Sequence, residues 1–292
     1  MFYLLEIRLR PLIGGIVSLI PGVFSLWDRL RPMGDPRPPE FGRNVWRERL
    51  QDIRKSGLHL SPETVLELGP GRNLAALISA LLDGAKLAIG VDAVHYANRQ
   101  ENLRVFDYLA AEINIDEDCK KVLRQSVTDA GRTGQENQLR YCAPWSDPSV
   151  VPTESIDFIF SISVLEHIND PDAIYQACYS WLRPGGVMAH KIDLSSHGIT
   201  RHWNGHYWVP HWLWILIVGR RTYSINRLLP DEHLLIAQQA GFQVISVENV
   251  SVEKNALSAS QHQPARRFRA WPGQSLEIRT SVLVLQKPET PS

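Results

Sequence analysis

The chain has 292 residues, 44% of them apolar and 21% charged, so it buries a core of ordinary depth and is not a disordered polymer. Lys plus Arg and Asp plus Glu number 31 each, leaving no excess of charge to coat nucleic acid. Three cysteines (Cys119, Cys142, Cys178) with no C-x-x-C pair exclude a disulfide framework and a cysteine zinc site, and suit a reducing, cytoplasmic setting.

From Pro11 to Trp27 runs an uncharged stretch of 17 residues, PLIGGIVSLIPGVFSLW. That is the lower limit for crossing a bilayer, and Pro11, Gly14, Gly15, Pro21 and Gly22 interrupt it. Glu6 and the lack of a small-residue cleavage motif disfavour a secretory signal. Arginines flank it on both sides (Arg8, Arg10; Arg29, Arg31, Arg37), so no orientation follows. Residues 1–30 are thus an interfacial segment lying on a membrane, a helix packed on the body, or a true span. The first is the expectation.

Residues 31–57 hold a proline-rich linker (RPMGDPRPPE, 31–40) and a lead-in helix. In FGRNVWRERLQDIRKSG, Val45, Trp46, Leu50 and Ile53 share one side, and Gly57 ends the helix. The remainder, 58–292, alternates. Strands are expected at 64–69, 87–92, 139–142, 156–161, 187–194, 242–250 and 276–286. Helices fall at 73–82, 94–111, 116–127, 171–182 and 231–240. Near-continuous apolar strands alternating with helices predict a doubly wound α/β domain whose mostly parallel sheet is covered on both faces.

Residues 195–229 are too long for a routine connection and read as a substrate or lid insertion at the carboxyl end of a strand. They carry four of the nine tryptophans (Trp203, Trp208, Trp212, Trp214), and residues 190–211 hold five of the ten histidines. The run 208–219, WVPHWLWILIVG, is a buried helix, a lid over an apolar acceptor, or a second membrane-touching surface. Peripheral membrane contact is therefore expected through 11–27 and 208–218. His202 and His206 are spaced i, i+4, but Asn204 and Gly205 lie between them and no third ligand is evident, so no metal site is expected.

Glu67-Leu68-Gly69-Pro70-Gly71-Arg72-Asn73 follows a strand and opens a helix, which gives a tight turn and close backbone approach beside a positive helix end. A dinucleotide loop wants glycine at 74, which is Leu74, and Glu67 is a poor neighbour for pyrophosphate. The loop suits a ligand with less phosphate and more positive charge. Asp92, 21 residues after Gly71, closes the next strand where a carboxylate can accept both hydroxyls of a ribose. Charge is also uneven: residues 1–60 carry ten basic and six acidic side chains, 61–253 fifteen and twenty-three, and 254–292 six and two. An acidic middle suits a cationic ligand.

VLELGPGRN, GVDA, SIDFIFSISVLEHI and LRPGG, in this order and spacing over residues 60–192, resemble the class I S-adenosylmethionine-dependent methyltransferases. YCAP (141–144), HKIDLSSH (190–197) and INRLLPDEHLLIAQQAGF (225–242) further resemble a group of bacterial methyltransferase-domain proteins associated with envelope glycans and lipids. The resemblance implies a Rossmann-like, seven-stranded sheet with its last strand antiparallel, and S-adenosylmethionine as cofactor. It places Glu67, Gly69, Pro70 and Gly71 at the amino-acid end of that cofactor, Asp92 and Ala93 at its ribose, and Ser161 with the residues after it under its methionine part. Where many members hold the adenine amine with an acid after the third strand, this chain reads Cys142-Ala143-Pro144, with Asp147 further along as a substitute.

Methyl transfer from a sulfonium is an in-line displacement, and a base is needed when the acceptor is protonated. The candidates are His197, His190 and His167, with Asp193 to orient an imidazole. The expected acceptor is a small molecule, lipid or glycan precursor at the inner face of a membrane, not a nucleic acid. Rival functions are a non-catalytic cofactor-binding module of the same fold and a nicotinamide-dependent reductase, which Leu74 and Glu67 disfavour.

Overall fold

The computed structural model describes residues 4, 6–21, 37–131, 137–145, 147–221 and 224–289. The end of the uncharged run (22–27), Arg29, Arg31 and most of the proline-rich linker lie outside them.

Seven strands make one sheet: β1 (Thr64–Leu68), β2 (Leu87–Val91), β3 (Leu139–Cys142), β4 (Ile156–Ile162), β5 (Leu182–Asp193), β6 (Gln243–Ser251) and β7 (Ile278–Gln286). Their order is β3-β2-β1-β4-β5-β7-β6. All neighbours are parallel except β7, which runs antiparallel to both β5 and β6. The expected architecture is the observed one, with boundaries within a residue or two, save that β5 begins early enough to include the Leu182-Arg183-Pro184-Gly185-Gly186 turn.

The apolar strands follow from burial on both faces. Val65, Phe158 and Phe160 enter one core, while Leu66 and Ile159 enter the other. Successive side chains of a strand point to opposite faces, so a run without polar residues is what a two-sided cover requires. The first core lies under α2 (Pro39–Lys55), α3 (Ala75–Leu82), α4 (Arg99–Ala111) and α5 (Glu117–Asp129). The second lies under α6 (Pro171–Trp181) and α8 (Pro230–Gln239).

Local chemistry sets the helix starts. Asn98, Asp116 and Asp170 accept backbone N–H groups at the first turns of α4, α5 and α6, and Pro171 occupies the first helical position where its missing N–H costs nothing. The lead-in helix α2 closes directly on α3: Trp46 donates to Asp83 at 2.8 Å, and Gly42 lies so close to Ala75 and Ala76 that a side chain there has no room.

The insertion adds α7 (His211–Val218) and carries the N-terminal helix α1 (Leu9–Ser18) on its outside. Gly15 meets the carbonyls of Leu216 and Ile217, the Ser18 hydroxyl accepts the Arg220 N–H at 2.9 Å, and Glu6 is buried against His202 at 2.7 Å. The packed-helix expectation therefore holds for the inner face of α1. Among the described residues no helix is long and apolar enough to cross a membrane.

Candidate active site

The chain order reverses at β1, whose neighbours β2 and β4 lead to opposite sides of the sheet. Ligands of doubly wound folds bind at the carboxyl ends of the strands at such a switch point. A cavity of about 720 Å³ lies there, lined by Glu67, Gly69, Pro70, Gly71, Asp92 and Ala93, all six anticipated for the cofactor.

The glycines do what the loop needs. Gly69 (φ +63°) donates its N–H to the Val91 carbonyl at 2.8 Å, tying the turn to β2, and a Cβ there would stand 2.6 Å from Val164 Cγ2. Gly71 (φ +73°) donates to Asp92 Oδ2 at 3.1 Å, and a Cβ on it would meet nothing within 4 Å, so its backbone is open to a ligand.

Glu67 is buried with its Oε2 unpartnered. Burial, reinforced by the negative charge of Asp92, pushes its carboxyl up to about 8. Burial also raises Asp92, opposed by the N–H groups of Gly71, Val94 and Ala93. An orphaned buried carboxyl beside a second acid fits the ammonium and ribose of S-adenosylmethionine. Arg37 and Arg72, on the same wall, would face its carboxylate. Asn73 fixes that wall by donating to the Arg37 carbonyl at 2.8 Å.

The aromatic rings of the cavity escaped sequence reasoning. Tyr96 and Trp145 line it, Trp145 held by its N–H to the Asp92 carbonyl at 3.1 Å and set edge-on to Trp181 at 5.3 Å. These are flat apolar surfaces of the kind that could take an adenine, with no acid among them. Asp147 is no substitute: it spends a carboxylate oxygen on the Ser149 N–H at 2.9 Å and does not line the cavity. A tryptophan three residues beyond Cys142 was the available signal.

Of the stretch anticipated under the methionine part, Ser161 itself is set apart: it is fully buried and bonds His190 Nδ1 at 2.7 Å, while the residues after it, Ile162, Ser163 and Val164, line the cavity. His190 is likewise sealed in the sheet. Burial, aided by the charges of Arg49 and His233, depresses it to about 3, so it has neither access nor basicity for an acceptor proton.

His167 and His197 do line the cavity, their rings edge-on at 4.9 Å. Asp193 ends β5 behind His197, its Oδ2 3.4 Å from Nε2. Burial alone raises Asp193, but the hydrogen bonds of His197 and Ser195 outweigh it and hold the carboxyl at about 2. The bond from Asp193 in turn raises His197 against its own burial. His197 reaches the cavity from a left-handed backbone, φ +48°, immediately before Gly198.

Glu166 is the residue between these groups that was not anticipated. Buried, it accepts the Asp193 N–H at 3.3 Å, and burial pushes its carboxyl up to about 8. Although no metal was expected, ligand atoms of Glu166, His167 and His197 lie within 4.8 Å of one another. His202 and His206 form no such group: His202 pairs with Glu6 and His206 is buried.

Besides His197, the insertion contributes Ile199, Arg221, Ser224 and Ile225 to the cavity, and none of its tryptophans. Trp203, Trp208 and Trp214 are core, with Trp208 donating to the His262 carbonyl at 2.8 Å, whereas Trp212 faces solvent. The I-N-R-L stretch explains the attachment. Asn226 donates to the carbonyls of Leu165 and Ile168 at 2.7 and 3.1 Å, clasping the Leu165–His167 turn. Arg227 donates to His206 and Val209 at 3.1 and 2.8 Å and lies over the Trp214 ring.

A family described as methyltransferase domain matches residues 40–247. A ubiquinone biosynthesis O-methyltransferase of Mesorhizobium japonicum is 26% identical over 195 residues, which are 66% of this chain and 64% of that protein. A tRNA 5-carboxymethoxyuridine methyltransferase of Escherichia coli is 26% identical over 164 residues, 56% of each chain. The chain thus matches less than two thirds of the length of these curated relatives. A solved S-adenosylmethionine-dependent methyltransferase from Mesorhizobium loti superposes with a TM-score of 0.44 at 13% identity, covering 81% of this chain and 96% of that one. The family match takes in the glycine loop, Asp92, the Leu165–His167 turn and β5 together, and by it the chain belongs to the methyltransferase-domain family, class I enzymes whose cofactor is S-adenosylmethionine.

Proposed function

We propose that the protein transfers a methyl group from S-adenosylmethionine to a hydroxyl or similarly protonated group of a lipid or glycan precursor, on the cytoplasmic side of a membrane. The observation that carries this is His197, which faces the cavity of Glu67 and Asp92 with Asp193 3.4 Å behind it. When bound, the cofactor supplies an electrophilic methyl on a sulfonium. Glu67 and Asp92 would hold its ends, and Tyr96 and Trp145 would cover its base.

With Nε2 turned to Asp193, His197 would take the acceptor proton at Nδ1 as the new bond forms, and Asp193 would stabilise the imidazolium produced. Ile199 and Ile225, on the insertion side, keep water from the reacting centre and favour an acceptor with apolar parts.

The test is transfer of labelled methyl from the cofactor into lipid, glycan and tRNA pools. Label should enter the lipid or glycan fraction with the wild type and vanish with His197→Ala. Label in tRNA alone would overturn the acceptor class. A second reading rests on the Glu166, His167 and His197 cluster, which could hold a divalent cation that polarises an acceptor oxygen. Chelation leaves turnover unchanged if His197 is the base. Loss restored by zinc or iron(II), which accept imidazole ligands, selects the cation instead.

A further inference from the structure

The two helices outside the fold share a feature that the methyl-transfer site does not use. On α1 the exposed side chains are Leu9 (69% exposed), Ile13 (49%) and Ile16 (46%), continued by Val17 and Ile20, a stripe at helical spacing. The opposite side of the helix is used up: Gly15 and Ser18 are buried against the insertion. Its neighbour α7 repeats the pattern. Leu213, Trp214 and Ile217 are buried, while Trp212 (57%) and Ile215 (53%) stand in solvent.

Arg221 rivets the pair, donating to the Pro11 carbonyl at 3.4 Å and to the Ile217 carbonyl, while also lining the cavity. The result is one apolar surface from two helices, adjoining the open end of the cleft.

Charge says what covers it. Neither 7–27 nor 194–230 contains a single Asp or Glu. Exposed Arg8, Arg10, Arg201 and Arg220, with His211, belong to the same two segments. Of the acids that flank these segments among the described residues, Glu6 is buried against His202, Asp193 faces His197 and Asp231 accepts the Ser275 hydroxyl. Exposed apolar side chains on segments whose own charges are all cationic match an anionic lipid surface, in which rings and aliphatics enter the interface while guanidinium groups meet headgroup phosphates.

We propose that the joint face of α1 and α7 docks the protein on an anionic bilayer, with Leu9, Ile13, Ile16, Trp212 and Ile215 inserted. The docked face brings the cleft, through Arg221, Ile199 and Ile225, alongside the surface from which an amphiphilic acceptor can enter without crossing water. Only this delivery step rests on the proposed methyl transfer; docking itself does not.

The experiment is co-sedimentation of the full chain with vesicles of phosphatidylglycerol in phosphatidylcholine, and with phosphatidylcholine alone. The wild type should bind the anionic vesicles, weaken at high salt as the charges are screened, and bind the neutral ones poorly. The double variant Ile16→Glu, Trp212→Glu should lose about 100-fold in partitioning, since two apolar anchors are replaced by charges of the wrong sign. Its binding of S-adenosylhomocysteine and its melting temperature should stay unchanged, which separates lost docking from a lost fold or a failed cofactor site.

Brominated lipid should quench wild-type fluorescence, with most of that loss absent in Trp212→Phe. Wild-type protein left in the supernatant, or equal partitioning of wild type and double variant, overturns the proposal. A dimer in solution that the double variant splits, without any vesicle binding, assigns the face to a second copy and also overturns it.

Discussion

At the scale of single residues, two carboxyl groups and one imidazole decide the pH behaviour. Glu67, held at about 8 in the empty cavity, is mostly protonated at pH 7. A cationic ligand favours its charged form, so cofactor binding near neutral pH should release a proton, and affinity should rise from pH 6 towards 8. Calorimetry in buffers of different ionisation heat measures that proton, and Glu67→Gln should abolish it. His197 must be neutral to act as a base, and Asp193 raises it. The rate should therefore climb with pH through a value above the ordinary ~6.5 of histidine. Asp193→Asn should move that limb to lower pH and slow turnover. His197→Ala should cost roughly 10²–10⁴-fold in kcat while sparing cofactor affinity. The pair also stabilises the fold within a window. Asp193, depressed, contributes above the normal carboxylate range and loses its contribution as pH falls towards about 2. His197, raised, contributes below ~6.5 and loses it as pH rises past its folded value.

At the scale of elements, the glycine turn and the Asn226 clasp are the parts whose failure should be most visible. Gly69→Ala puts a Cβ on Val164 in a left-handed backbone, expected to cost ~1–3 kcal/mol and most of the cofactor affinity. Thermal melting with and without S-adenosylhomocysteine reads both. Asn226→Ala strips two buried carbonyls of a donor, about 1–3 kcal/mol, and should loosen the Leu165–His167 turn without touching Glu67. How much could be read beforehand differs by element. β1, β2 and β4 were legible because burial on both faces leaves a near-continuous apolar run, broken only at Thr64, Glu67, Asp157 and Ser161, and the loop after β1 because its turn needs glycine. The fate of the tryptophans was not legible: a ring-rich segment has the same composition whether it roofs a cavity or fills a core, and of the alternatives open for 208–219 the core holds for Trp208 and Trp214 but not for Trp212. The face of His190 was legible from strand alternation, but not that Arg49, Ser161 and β7 would seal it. Trp145 offered only its place three residues beyond Cys142 and Tyr96 not even that, since a cofactor's base needs a surface rather than a pattern.

At the scale of the whole molecule, the N-terminal helix is bound to residues some 200 positions away, a pairing that no local pattern announces. Its hold is steric as well as polar. Gly15→Val would collide with the Leu216 and Ile217 carbonyls and should free α1 from α7. The expected outcome is early tryptic cleavage after Arg8, with cofactor binding and the main melting transition retained. Retained protection of Arg8 would mean that the Glu6–His202 pair and the Ile7–Thr200 bridge suffice alone.

The placement of β7 has a consequence for how the protein is made. The last strand in sequence is not at the sheet's edge: it lies between β5 and β6 and supplies the register partners of both. Until Gln286 has left the ribosome, β5 is paired on one edge only, with β4, and the segment carrying Asp193 and His197 lacks the β7 backbone that fixes it beyond Lys191. The glycine loop, Glu67 and Asp92 are complete some 190 residues earlier, so the nascent chain can shape its cofactor cradle long before it owns its base. Synthesis thus orders the two halves of the site in time, and any release before residue 278 leaves a chain that could bind but not react.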